Sequence, residues 1–346
     1  MNVFRWYYSP VLLLGAFWLS SIGNAQAAEP DCKANVNSNG VIDLGKITPT
    51  NAKTASITAN LNYTCTNREI GSQLGSRYIS VCLGVNSGDS DRPSFPPRYM
   101  KNTNDNLKEL AFTMTLPGNN LWGTRDGDGS EFNTGHRKTS GGGTFSGSVP
   151  ITVKLLPING NTFATPGEYI LNFNGDNTFL TAEDRLLYAS SDCSGVSQQN
   201  QRFPFMVKAT VASSCVITST SDIDLGTYSA NKTDIQGENS SAINVICTNQ
   251  APYTIGLSPS NNDLDGSGVM TGKNSNNTDK IPYQLRSEPG PNGAVWGNRT
   301  TVTDTGNGVA GKGTGTSQTK AVYVTVPSAD YKPDEYSDTV FINVNY

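Results

Sequence analysis

The sequence predicts an all-β protein built as two β-sandwiches in tandem, the second short of one strand. Three observations predict it. Only 16% of the 346 residues are charged, while 35 are Gly and 18 are Pro, a composition of turns joining strands rather than of long helices. Apolar and polar residues alternate, as they do where one strand face is buried and the other solvated. One set of motifs also occurs twice, about 182 residues apart.

The chain opens on residues 1–27, which read as an export signal. Arg5 lies in a short polar start, residues 11–19 are apolar, and Ala25-Gln26-Ala27 supplies the small residues that precede a cut before Ala28. Nine apolar residues rise about 13 Å as a helix, under half of the ~30 Å hydrocarbon slab, which disfavours a membrane anchor. The mature chain is then expected to divide into an N-terminal domain, 28–212, and a C-terminal domain, 213–346.

Cys32 opens the first domain, and Cys65 follows 33 residues later; Cys215 and Cys247 repeat this at 32. The repeat selects the pairs Cys32–Cys65 and Cys215–Cys247 and leaves Cys82 for Cys193. Between the paired cysteines, Ile42-Asp43-Leu44-Gly45 returns as Ile223-Asp224-Leu225-Gly226. Ile57, Ala59, Leu61 and Tyr63 then alternate with polar residues into Asn62-Tyr63-Thr64-Cys65-Thr66-Asn67, which matches Asn244-Val245-Ile246-Cys247-Thr248-Asn249. Turns at Pro117-Gly118-Asn119-Asn120 and Pro289-Gly290-Pro291-Asn292 precede Trp122-Gly123 and Trp296-Gly297. Val322, Val324 and Val326 alternate in the second copy. Pro166-Gly167-Glu168-Tyr169 and Pro333-Asp334-Glu335-Tyr336 each begin a late strand.

The copies diverge after this point. In the first, residues 203–211 form a further strand, with Phe205, Val207, Ala209 and Val211 on one face. In the second, the last strand is 340–346, with Val340, Ile342, Val344 and Tyr346 on one face, and no further strand is expected. An apolar groove and an unpaired edge result, and a strand from another chain must cover them. Only Ala28-Glu29-Pro30-Asp31 precede Cys32, too little to donate a strand in turn.

In this order, in two copies, these motifs resemble the spore coat U domains of archaic chaperone-usher pili, and a two-domain chain of this kind is similar to their tip adhesins. The resemblance implies immunoglobulin-like sandwiches, the C-terminal one completed by a donor strand. It also implies a periplasmic pilus chaperone, an outer-membrane usher, a next pilin subunit that supplies the strand, and passage through the periplasm to a pilus tip. Attachment to an abiotic or host surface and biofilm formation are the implied role.

The first copy carries extra residues after Cys65 and after Asn174. Their apolar side chains, Ile70, Leu74, Phe179, Leu180, Leu186, Leu187 and Tyr188, are the expected surface contacts, since each buried Leu or Phe contributes roughly 1.5 to 3 kcal/mol. Alternatives are a glycan-binding tip using Tyr99 or Trp122, a secreted β-sandwich structural protein, and a hydrolase using Glu183 and Asp184. The net charge of −4 and the absence of a basic cluster argue against nucleic acid. The only histidine, His136, lies in a Gly-rich stretch and reads as a solvated loop residue, so no catalytic residues are assigned. Asp126-Gly127-Asp128 and the run from Asp263 fail the EF-hand count at the twelfth position, Arg137 and Asn274. Neither metal nor cofactor is expected.

Overall fold

The computed structural model describes residues 29–69, 75–90, 96–125, 127, 129–187 and 201–346. The expected export signal, Ile70, Leu74, Asp126, Asp128, Tyr188 and Cys193 lie outside the described residues. Strands dominate. The first half contains β1 (Asp31–Val36), β2 (Val41–Ile47), β3 (Ser56–Thr66), β4 (Arg77–Val85), β5 (Arg98–Asn102), β6 (Glu109–Leu116), β7 (Asn120–Leu121), β8 (Phe132–Asn133), β9 (Arg137–Thr139), β10 (Thr144–Leu155), β11 (Gly167–Phe173), β12 (Thr178–Arg185) and β13 (Phe205–Val211). The second contains β14 (Cys215–Thr220), β15 (Thr233–Cys247), β16 (Pro252–Pro259), β17 (Ser267–Gly272), β18 (Lys280–Arg286), β19 (Val309–Lys312), β20 (Ser317–Ser328), β21 (Tyr336–Ser337) and β22 (Val340–Asn345).

Each half is two sheets around its own core. The first pairs its strands in the order β1-β3-β10-β6-β5-β11-β13-β2, with β7 on β6, and covers them with β12-β4-β8, with β9 on β4. The second orders β14-β15-β20-β18-β17-β21 against β19-β16-β22. Alternation explains both layers: in β3, Ala59, Leu61, Tyr63 and Cys65 are buried while the residues between them face outward. Cys32 lies opposite Cys65 and Cys215 opposite Cys247, and both pairs are disulfide-bonded. Cys82 is also disulfide-bonded, and its expected partner Cys193 is outside the described residues.

Three hydrogen bonds recur between the halves and fix their equivalence. Gly45 N–H donates to Asp43 Oδ1 and Gly226 N–H to Asp224 Oδ1, both at 2.8 Å, each across a glycine with positive φ. Tyr169 O–H donates to Thr165 O at 2.9 Å, and Tyr336 O–H to Lys332 O at 2.8 Å. The Trp122 indole N–H donates to Leu83 O and that of Trp296 to Ile255 O. Both indoles are buried core groups, so Trp122 is not available to a glycan.

One expectation is corrected by this topology. The residues after Asn174 do not all form an added loop, because β12 pairs along β4 as β22 pairs along β16. Phe179 and Leu180 therefore belong to the framework. After Asn174, the addition of the first half is the chain between β12 and β13, together with β13 itself.

Candidate functional site

The two halves differ most where β13 lies. It runs antiparallel to β11, with Val211 opposite Gly167 and Phe205 opposite Phe173, and parallel to β2, with Val207 opposite Ile42. Phe205, Val207, Ala209 and Val211 are buried, and Phe203 and Phe205 stack against Trp122 at 6.2 and 5.9 Å. With β13 in place, Ile42 and Tyr169 are each 0% exposed.

The second half has the motifs that flank β13 but no described strand between them. Ile223-Asp224-Leu225-Gly226 keeps the turn of its counterpart and yet forms no strand, since no described strand pairs with its backbone. Ile223 and Tyr336, the counterparts of Ile42 and Tyr169, are only half-buried. A groove of about 940 Å³ opens between these segments. Its floor includes Ile235, Leu257, Ile281, Leu285, Val322 and Val324, which belong to the core or pack at its margin.

The rim is charged. Asp222, Asp224, Asp334, Glu335 and Asp338 line the groove with Lys332 as the only base. Asp338 Oδ2 accepts the Tyr283 hydroxyl at 2.7 Å, and burial together with this carboxylate pushes the Tyr283 phenol well above its ordinary range. Asp334 is held below the usual carboxylate range by the Asn277 amide and by the N–H groups of Asn274 and Glu335. Its counterpart position in the first half is Gly167.

Of the groove residues read from the sequence, Val340 and Ile342 line the opening. Val344 packs against the core outside it, and Tyr346 is 45% exposed. Period-two alternation marks only the β22 side of the groove; its other wall is Ile223, Leu225 and Tyr228. The signal for that wall was the repeated Ile-Asp-Leu-Gly itself, which in the first half is the strand beside β13.

The expected surface contacts separate. Leu186 and Leu187 are 58% and 80% exposed, directly after β12. Leu180 is 1% exposed and opposite Leu83, so it is a core residue and cannot be a surface contact. Phe179 is half-buried beneath the Arg202 guanidinium, 5.0 Å from its ring centroid. β11 runs from Val211 toward Phe205, and Leu180 bridges Gln201, so the end of β12 lies away from the point where the chain enters the second half. Leu186 and Leu187 therefore occupy the far end of the first half.

No acid-base pair is assembled at Glu183 and Asp184. They are consecutive on β12 and engage different arginines, Arg185 and Arg77. The ring nitrogens of His136 are shut off from solvent, which corrects its reading as a solvated loop residue. Asp263 Oδ1 caps a turn by accepting the N–H groups of Asp265 and Ser267. Among the described residues no group of three His, Cys, Asp or Glu is arranged to hold a metal, and no helix is long and apolar enough to cross a membrane.

Comparison with known proteins gives the class of the second half. Residues 201–343 match the Spore Coat Protein U domain. Among solved structures, it is similar to the CsuC–CsuE chaperone and tip-adhesion subunit pre-assembly complex from archaic Csu pili of Acinetobacter baumannii, at 14% identity and a TM-score of 0.49, over 91% of this chain and 100% of that one. The CupB6 tip adhesin of Pseudomonas aeruginosa matches at 13% identity and 0.36, over 90% and 93%. CfaE, the adhesive subunit of the CFA/I fimbria of enterotoxigenic Escherichia coli, matches at 11% and 0.32, over 88% and 92%. No curated protein matches the sequence.

Proposed function

We propose that this chain is the tip adhesin subunit of a chaperone-usher pilus, with residues 28–212 as the adhesin domain and 213–346 as the pilin-like domain. One observation carries the reading: the motif pair that encloses β13 in the first half encloses an open groove in the second. A strand supplied by another polypeptide fills it, first a periplasmic chaperone's and then, at the outer-membrane usher, the next subunit's. Leu186 and Leu187, at the end farthest from the groove, make apolar contact with the surface to be colonised, which supports biofilm formation.

Co-expression with a periplasmic pilus chaperone tests this. The two proteins are expected to copurify, and Ile342→Asp, which puts a charge on the groove wall, is expected to abolish capture and piliation. A second half that is monomeric and fully stable without a companion polypeptide would refute the reading.

A further inference from the structure

The filled groove of the first half holds one polar contact that its apolar strand does not require. Lys208 points outward from the middle of β13, opposite Asp43 on β2, and its Nζ lies 3.4 Å from Asp43 Oδ2 and 3.8 Å from Glu168 Oε1. The lysine thus ties β13 to both of its neighbours at once. Both acceptors recur around the open groove. Asp43 corresponds to Asp224, held by the same turn to a glycine N–H, and Glu168 corresponds to Glu335, next to the tyrosine that repeats the bond to the residue four before it. The lysine does not recur.

Among the described residues Asp224 has no cation partner, and Glu335 pairs only with Lys273, a contact in which both side chains are about three-quarters exposed. The carboxylates are therefore in place before any strand arrives, on a rim of five acids and one base.

We infer that the strand which fills this groove carries a Lys or Arg at its centre, on the face turned away from the core, and that this cation bridges Asp224 and Glu335. The inference rests on the strand-acceptor reading and adds the chemistry of the partner. The occupant is an extended segment with apolar residues at alternate positions and an outward base between the second and third of them. It runs parallel to residues 223–226, as β13 runs parallel to β2. Rim charges of this kind act chiefly on encounter and on selection against the wrong partner, so the contact favours basic donors over acidic ones.

The test uses the full chain and a fluorescent peptide with the sequence of residues 203–212, alongside the same peptide carrying Lys208→Glu. Anisotropy titration at low ionic strength is expected to show the charge-reversed peptide binding about tenfold more weakly, with the gap closing at high salt. On the chain variant carrying Asp224→Asn and Glu335→Gln, the two peptides are expected to bind alike. Equal binding of both peptides to the unaltered chain would overturn the inference, as would a gap that persists undiminished on the double variant. If neither peptide binds, the strand-acceptor reading itself fails.

Discussion

Ile42 and Ile223 occupy the same place in the same motif, and they differ in whether a strand covers them. Ile42 is 0% exposed beside β13, whereas Ile223 is half-buried at the edge of the groove. Truncating each to Ala therefore measures the cover. Ile42→Ala removes three methylene equivalents from a closed core, about 2.4 kcal/mol of transfer energy, and the residual cavity raises the cost to about 3–4 kcal/mol. Ile223→Ala should cost about 1 kcal/mol, because its side chain already meets water and the site can relax. Urea unfolding of the chain from Ala28, in backgrounds retaining only Trp122 or only Trp296, reports the two halves separately. Adding the 203–212 peptide should raise the cost of Ile223→Ala toward that of Ile42→Ala. Equal costs without peptide would mean that the second core is already closed, and the open-groove argument would fall.

Three further outcomes are expected. Leu186→Ser with Leu187→Ser should reduce attachment to hydrophobic plastic while changing stability by no more than about 0.5 kcal/mol, whereas Leu180→Ser should unfold the first half; retained attachment would remove these leucines from the contact. Cys215→Ser with Cys247→Ser opens a link between residues 32 apart and should cost about 2–5 kcal/mol in the second half, read from the Trp296 transition. Tyr283 keeps its proton when folded at a pH where the unfolded phenol, with an ordinary value of 10.0, loses it. The Tyr283 contribution to the stability of the second half is thus fully present below pH 10 and is lost as pH rises above it, and Tyr283→Phe should remove that part of the alkaline decline.

The repeat made much of this legible. Cys-to-Cys spacing, Ile-Asp-Leu-Gly and Pro-x-Glu-Tyr each mark a bond that both halves make alike, although Ile-Asp-Leu-Gly is a strand only in the first. What one half has and the other lacks was harder to read. Thr178-Phe179-Leu180 and Val340-Phe341-Ile342 share a role without enough identity to align by eye, so β12 passed for an insertion. Only pairing register shows it to be framework, because period-two patterning says that a strand has a buried face but not which neighbour it meets. Leu180 and Leu187 also look alike in sequence. One sits within the ladder to β4 and the other lies past its end, a difference set by where pairing stops. Trp122 recurs as Trp296, and both indoles are buried with the N–H on a backbone carbonyl, a case where the repeat does decide the environment.

β13 completes the first half while only Ala212, Ser213 and Ser214 separate it from Cys215, the first residue of β14. The second half thus stands to the first as a strand donor stands to its acceptor, with the chain between β12 and β13 as the covalent tie. If that is the arrangement, the tie is dispensable once folding is complete. A protease site placed between Cys193 and Gln201, cut after purification, would leave β13 on the C-terminal fragment and its groove on the N-terminal one. Four buried apolar residues, the antiparallel ladder to β11 and the parallel ladder to β2 should then hold the fragments together through gel filtration, and denaturant should separate them. Fragments that part in native buffer would show that β13 is an ordinary final strand, held in place by the chain and not by the groove. The first half would then be no template for what fills the second.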